Sequence, residues 1–282
     1  ADTAFRPDVD GVPYDIDAAD GRVYVVGNFD GVNGNTDKGV SIVDAETGIV
    51  VPGMAPTVHT TGSFSRQYQQ AVLAVGDVIF QGGSEHNTQV YTKSGYNLLR
   101  THITATRGGD TQALATIDGV VYQASHATAW NYQDAQTWPD LTNYGRVDDY
   151  EFVGAFSTTD YSYNPTCVPS MDSAYEEGVW ALHVDVDGCM WFGGDILGGA
   201  YVNGQRQYLE SFSKFCQRDI AAPSTPSNAI ATPLTAGGIR LDWSASSDNF
   251  PGFIGYEVLR NVRMISPLVY GATFVDPVGT TS

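Results

Sequence analysis

The sequence predicts an all-β chain: β-propeller blades of four antiparallel strands, followed by part of a β-sandwich. Composition is the first observation. Of 282 residues 31 are Gly, 12% are aromatic and only 16% are charged. That profile favours many short strands joined by tight turns over helical bundles. The second is an internal repeat. A strand, an acidic or Gly turn and an aromatic strand ending in Gly recur at residues 12–29, 68–84, 110–126 and 179–195. The third is periodicity. In the fourth copy Trp180, Leu182, Val184 and Val186 alternate with Ala181, His183 and Asp185, the two-residue period of a strand.

Each copy follows the same logic. The turn glycines are Gly21, Gly76, Gly119 and Gly188. Gly tolerates the positive φ of a hairpin turn, so Asp187-Gly188 reads as a tight turn. The returning strand of copy four ends in Gly193-Gly194, which marks a close backbone approach. Copy one continues into GVSIVDAETG and IVVPGMAPTV, read as a third and a fourth strand. Copy four shows only a third, YLESFSKFC. Four antiparallel strands per unit make a propeller blade, whereas a sandwich of hairpins would not repeat the turn and the aromatic-Gly ending. Residues 127–178 form a long insert after copy three, rich in Trp, Tyr and Asp.

The segments DTAFRPDVDG, DGRVYVVGNFDGVNG and VSIVDAETGIVVPGMAP resemble the delta-sixty-type propeller repeats of large secreted bacterial proteins. Copies one and four match best. The resemblance spans most of residues 1–219 and implies a scaffold rather than a chemistry. The opening ADTAFRPDV resembles the last strand of a blade, either closing a four-bladed ring or ending an upstream blade. Composition shifts after residue 219, where IAAPSTPSNA reads as a linker. Beyond it, IRLDWS, the Tyr256 region and ATFVDPVG resemble the first part of a fibronectin type III domain. That resemblance implies that Trp243 and Tyr256 pack together. The expected domains are therefore 1–219 and 220–282. The missing final strands predict a longer, multidomain native chain. The amino terminus carries no signal-peptide pattern, and no Asn-x-Ser/Thr acceptor occurs.

The cysteines are Cys167, Cys189 and Cys216, without a zinc-type pair. Cys189 opens the second strand of copy four and Cys216 closes the third. The start of one antiparallel strand lies beside the end of the next, so these two are the expected disulfide, with Cys167–Cys216 as the alternative. A disulfide points to a secreted, extracellular or cell-surface protein.

Charge narrows the function. Fourteen Lys and Arg stand against 32 Asp and Glu, a net charge of −18. Such a surface repels phosphate backbones and anionic lipid, which excludes nonspecific nucleic-acid binding. No apolar run is long enough for a membrane span. No nucleophile elbow, zincin helix, phosphate loop or dinucleotide fingerprint is present in a suitable context.

The candidate residues are therefore those of binding. Trp130, Tyr132, Trp138 and Tyr144 in the insert offer aromatic planes for sugar rings, or they fasten the insert down as a loop. His86, His126 and Asp195 follow corresponding strands and would converge on one propeller face. Asp30, Asn33 and Asp37 form an oxygen-rich loop, the candidate calcium site; no other cofactor is expected. Glu176-Glu177 and Asp148-Asp149 are adjacent, so their side chains diverge on a strand and make no acid–base couple. Three functions remain: a module binding a glycan or an extracellular protein, an extracellular carbohydrate-active hydrolase or lyase, and a structural part of a surface assembly.

Overall fold

The computed structural model describes residues 5–36, 38–52, 68–83, 86–107, 109–135, 138, 141–165, 168–202, 205–216, 223–248, 254–260, 263–266 and 269–277. The side chains of 106, 107, 200–202, 205, 263 and 264 are outside that description. Two compact units result: residues 1–184 with 190–215, and residues 185–189 with 216–282.

The first unit is all-β and antiparallel. Blade one comprises β1 (Val9–Ala19), β2 (Arg22–Val32) and β3 (Val40–Asp44), with Val50 bridging Val43 at its outer edge. The rest of its expected fourth strand, residues 53–58, lies outside the described residues. Blade two is a four-stranded meander, β4 (Gln69–Val75), β5 (Val78–Gly83), β6 (Asn87–Thr92) and β7 (Leu98–Arg107). Blade three has β8 (Thr111–Ile117), β9 (Val120–Gln133) and β10 (Arg146–Ser157), and Tyr163 bridges Phe156 at its edge. β11 (Met171–Asp172) precedes blade four, whose strands β12 (Val179–Val184) and β13 (Met190–Gly194) are followed by the hairpin β14 (Gly198–Val202) and β15 (Gln205–Tyr208). β16 (Phe212–Phe215) then returns to pair with β13.

The registers show why the four copies look alike. Each first strand carries a bulge at the same place, at Tyr14, Gln70, Gln112 and Trp180. Opposite it stand Gly27, Gly83, Ser125 and Gly194. A Cβ at any of these glycines would run into the carbonyl of Val12, Tyr68 or Gly178. The recurrent terminal Gly is thus the residue that lets the bulged strand close up.

The same alignment explains the packing. Tyr24, Phe80, Tyr122 and Trp191 are equivalent, each three residues before the position opposite the bulge. Tyr24 packs into a core shared with Val72 and Ile79 of blade two. Phe80 packs with Leu114 and Val121 of blade three. Tyr122 packs with Leu182 and Met190 of blade four. Blades one to three thus each pack a face on the next sheet, which keeps both apolar faces from water. Polar bonds reinforce the first junction: the N–H groups of Val72 and Ala74 donate to the carboxylates of Asp15 and Asp17, at 2.9 and 2.7 Å. Those aspartates are inter-blade fasteners.

Four expectations are corrected. The insert is not a loop: β9 runs through it to Gln133 and β10 returns from Arg146. Its strands interlock two blades, because the far half of β9 pairs with β7 while the near half pairs with β8. The turn of copy four is not a two-residue hairpin, since Val184 pairs with Met190. Asp185 holds this wider turn by accepting the N–H groups of Asp187 and Cys189. The third strand of copy four is only Phe212–Phe215, displaced by the β14–β15 hairpin. In the opening stretch, residues 5–8 form no strand; Phe5 packs against Val25, Phe29 and Val43 of blade one itself.

Cys189 and Cys216 are the next pair beyond Met190 and Phe215 in register, and they form the expected disulfide, with Cα atoms 4.4 Å apart. Cys167 lies outside the described residues.

The second unit contains β17 (Ser227–Pro233), β18 (Ile239–Ser244), β19 (Leu259–Arg260), β20 (Arg263–Met264) and β21 (Thr273–Asp276). One sheet has the order β17-β18-β21, and β19 and β20 form a hairpin. The rings of Trp243 and Tyr256 meet edge to face, 5.2 Å apart. No helix among the described residues is long and apolar enough to cross a membrane.

Candidate functional site

The β9–β10 hairpin presents the aromatic residues of the insert. Side chains directly opposite on antiparallel strands share a face. Here the opposed pairs are Thr128 with Glu151, Trp130 with Asp149 and Tyr132 with Val147. Trp130 is 42% exposed, and Tyr144 is 50% exposed. Tyr144 stands edge-on to Tyr132, ring centres 5.3 Å apart. Trp130, half-buried Tyr132 and two carboxylates thus share one face, with Tyr144 against its outer end. The opposite face of β9 is buried and polar: Gln123, Ser125, Asn131 and Gln133 point inward.

At the near end the stripe enters a cleft of about 540 Å3 lined by Thr128, Asp149, Glu151, Tyr163, Pro165 and Pro169, among others. The cleft is shaped by an irregularity between Glu151 and Val153. Ala129 and Phe152 flank it at φ of 103° and 59°, where non-glycine backbone is strained. The Tyr163 hydroxyl donates to the Asp149 carbonyl at 3.0 Å and fixes the cleft wall. Partial desolvation, then repulsion from Asp172, pushes the Glu151 carboxyl above the usual carboxylate range. Asp148, one residue from Asp149, is half-buried and takes both Nε and an Nη of Arg146. The adjacent pair therefore diverges as expected. The couple that does share a face is Asp149 and Glu151, which the sequence reading passed over. The signal was their i, i+2 spacing around the buried Tyr150.

A second cluster forms at the strand ends of blades two and three. His126 Nε2 lies 3.6 Å from the Asp110 carboxylate, which raises the imidazole above its usual range. Gln70 Nε2 donates to the same carboxylate at 3.4 Å. His86 is held neutral by burial, its Nδ1–H donating to the Thr104 carbonyl at 2.8 Å. Its ring stacks on Trp138 with centres 4.3 Å apart. The field of Asp110 reaches both histidines. His86 and His126 thus come together as the repeat suggested, while Trp138 joins them rather than the stripe. Asp195 is occupied locally: it accepts the N–H groups of Tyr175 and Glu177, at 2.6 and 3.3 Å, and the Ser173 hydroxyl.

Of the candidate calcium loop, Asp30 pairs with Lys38 at 3.4 Å. The Asn33 amide is committed at both ends, accepting the Asp8 N–H and donating to the Gly48 carbonyl, each at 2.8 Å. Asp37 lies outside the described residues. Among the described residues no group of three His, Cys, Asp or Glu is placed to hold a metal ion.

No family model matches the chain, and no curated protein matches it. Several solved structures are distantly similar. One is the computationally designed Ika4 protein, at 10% identity and a TM-score of 0.37, over 71% of this chain and 92% of that one. Another is BamB from Moraxella catarrhalis, at 13% identity and a TM-score of 0.34, over 92% and 67%. The WD40 β-propeller domain of Doa1 matches at 13% identity and a TM-score of 0.37, over 84% and 66%. At such distances these likenesses carry no functional argument.

Proposed function

We propose that the chain is an extracellular or cell-surface binding module whose ligand is a glycan seated on the β9–β10 face. One observation carries this reading: exposed Trp130 and half-buried Tyr132 share one face of β9, exposed Tyr144 stands edge-on to Tyr132, and a carboxylate lies directly opposite Trp130. Aromatic planes stack on the apolar faces of sugar rings, and carboxylates accept hydrogen bonds from their hydroxyls. The Cys189–Cys216 disulfide supports an oxidising compartment. Residues 1–219 are the delta-sixty-like propeller of this reading, and residues 220–282 a partial fibronectin type III spacer. The β17-β18-β21 order and the Trp243–Tyr256 contact support the spacer.

A glycan array with wild-type protein, followed by calorimetry on the hits, tests the proposal. Trp130→Ala is expected to weaken binding roughly five- to thirtyfold, about 1–2 kcal/mol for one lost stacking plane. A blank array with positive capture of an extracellular protein, or no ligand of either kind, refutes it.

A second reading has its own observation. Asp149 and Glu151 point into one cleft from alternate positions of one strand, about 7 Å apart along it. Two carboxylates on one strand face, lining one cleft, are the groups an acid and a base acting on a glycosidic bond require, and Glu151, raised above the usual carboxylate range by partial desolvation, is the acid of the pair. Product release from any bound glycan, abolished in Glu151→Gln with binding retained, would establish the hydrolase. A glycan that binds and stays intact over prolonged incubation rejects it.

A further inference from the structure

We infer that the stripe selects a positively charged glycan, an amino-sugar oligomer with free, protonated amines. The inference rests on the glycan reading above and adds the charge of the ligand.

The argument starts from supply. The chain holds 14 cationic residues against 32 acidic ones. Many carboxylates near the first unit's surface are nevertheless matched: Asp20 with Lys93, Asp30 with Lys38, Asp134 with Arg100, Asp148 with Arg146 and Asp172 with Arg206. Asp149 and Glu151 have no ion-pair partner among the described side chains, and both face the stripe. Asp149 is the instructive one. Its neighbour Asp148 takes the Arg146 guanidinium, and Asp149 is left opposite an exposed indole.

A neutral sugar on this face would partly desolvate both carboxylates and return only hydroxyl hydrogen bonds. A protonated amine neutralises a carboxylate at the same contact and is also attracted by the faces of Trp130 and Tyr132. The like charge of Asp172 acts on the half-desolvated Glu151 across β10 and β11, and a bound ammonium would offset it. Planar ring stacking together with a fixed carboxylate is the chemistry of an amino sugar, in which a flat apolar ring face and an ammonium belong to one residue.

Calorimetry distinguishes the parts. The probes are a glucosamine hexamer with free amines, its fully N-acetylated counterpart and the all-hydroxyl cellohexaose, each titrated at low salt below the amine pKa. The free-amine hexamer is expected to bind at least about tenfold tighter than the other two, the worth of one charge-assisted pair. Asp149→Asn should remove that margin, leaving the free-amine hexamer no tighter than the other two. Trp130→Ala should weaken all three. General attraction of a polycation to a chain of charge −18 is separated by the same variant, because removing one charge from so many leaves such attraction nearly intact. Equal affinity for all three oligomers, or an Asp149→Asn protein that keeps the margin, overturns the inference and leaves the glycan reading standing. No binding by any of the three, with other glycans bound on the array, also overturns the inference alone. No glycan bound in either assay removes both. A lysine homopeptide that matches the free-amine hexamer and competes with it overturns the sugar half of the claim.

Discussion

Replacing Phe80 with Ala tests the blade-to-blade packing directly. Phe80 is fully buried and meets Phe156 and Tyr161 at ring-centre distances of 6.3 and 6.2 Å. Its place between blades two and three leaves no side for relaxation into solvent. Truncation of a fully buried Phe costs about 3–5 kcal/mol, from lost transfer energy and the cavity left behind. For a unit of this size about 2–4 °C is lost per kcal/mol, so Tm should fall by about 6–20 °C. Trp191 is its register equivalent on blade four and provides the control. Trp191 is only partly buried, stacked on Phe212 and beneath the Lys214 ammonium, 5.1 Å from the ring centre. Trp191→Ala should therefore cost only about 1–2 kcal/mol. Circular dichroism melts of the two variants, with fluorescence of the remaining tryptophans, read the difference. A Trp191→Ala protein destabilised as much as Phe80→Ala would refute the reasoning, because it would place a further packed layer where none is described. So would a Phe80→Ala shift under 2 °C.

Other expectations concern charge, covalent closure and the inter-blade fasteners. His102 is fully buried and neutral: its Nε2–H donates to the Tyr161 carbonyl at 2.9 Å, and burial lowers it to about 3. The unfolded chain gains a proton there below about 6.5 and the folded chain does not, so stability falls with pH from about 6.5 toward 3, by up to about 1.4 kcal/mol per unit. Melts across that window should flatten in His102→Gln, and an unchanged slope would reject the assignment. His126, raised by Asp110, has the opposite sense: its contribution is present below about 6.5 and fades as pH rises through its folded value. Cys216→Ser opens a loop of 27 residues and should cost about 3.5 kcal/mol on the chain-entropy account, read as an earlier denaturation midpoint. Asp17→Ala leaves the Ala74 N–H without its acceptor and should cost about 1.5–3 kcal/mol, with hydrogen exchange of Ala74 accelerated first.

The repeat was legible because its signals are local. Turn glycines need positive φ, strands alternate, and the bulge demands a glycine opposite it at Gly27, Gly83 and Gly194. The cysteine pairing followed from the same register. The length of β9 was not legible, because its inner face is polar. Gln123 donates to Thr111, Asn131 meets His102 and Gln133 accepts the Tyr163 N–H, so no apolar alternation betrays the strand. The β14–β15 hairpin carries a signal in the Asn-Gly between YV and QRQ, which the repeat alignment does not use. Trp130, Tyr132 and Tyr144 were recognisable by type, since exposed aromatics invite a binding role. The common face of Trp130 and Tyr132 with Asp149 and Glu151 was not, because it depends on the register of two strands that sequence reading took for a loop. The separation of Trp138 toward His86 depends on the same folding of the insert.

Hydrogen–deuterium exchange with and without a saturating glycan tests the placement of the site most directly. Slowed exchange confined to residues 128–133 and 144–151, with the strand ends around His86 and His126 unchanged, is the result predicted. Slowing at the histidine cluster with the β9–β10 hairpin unaffected would contradict it.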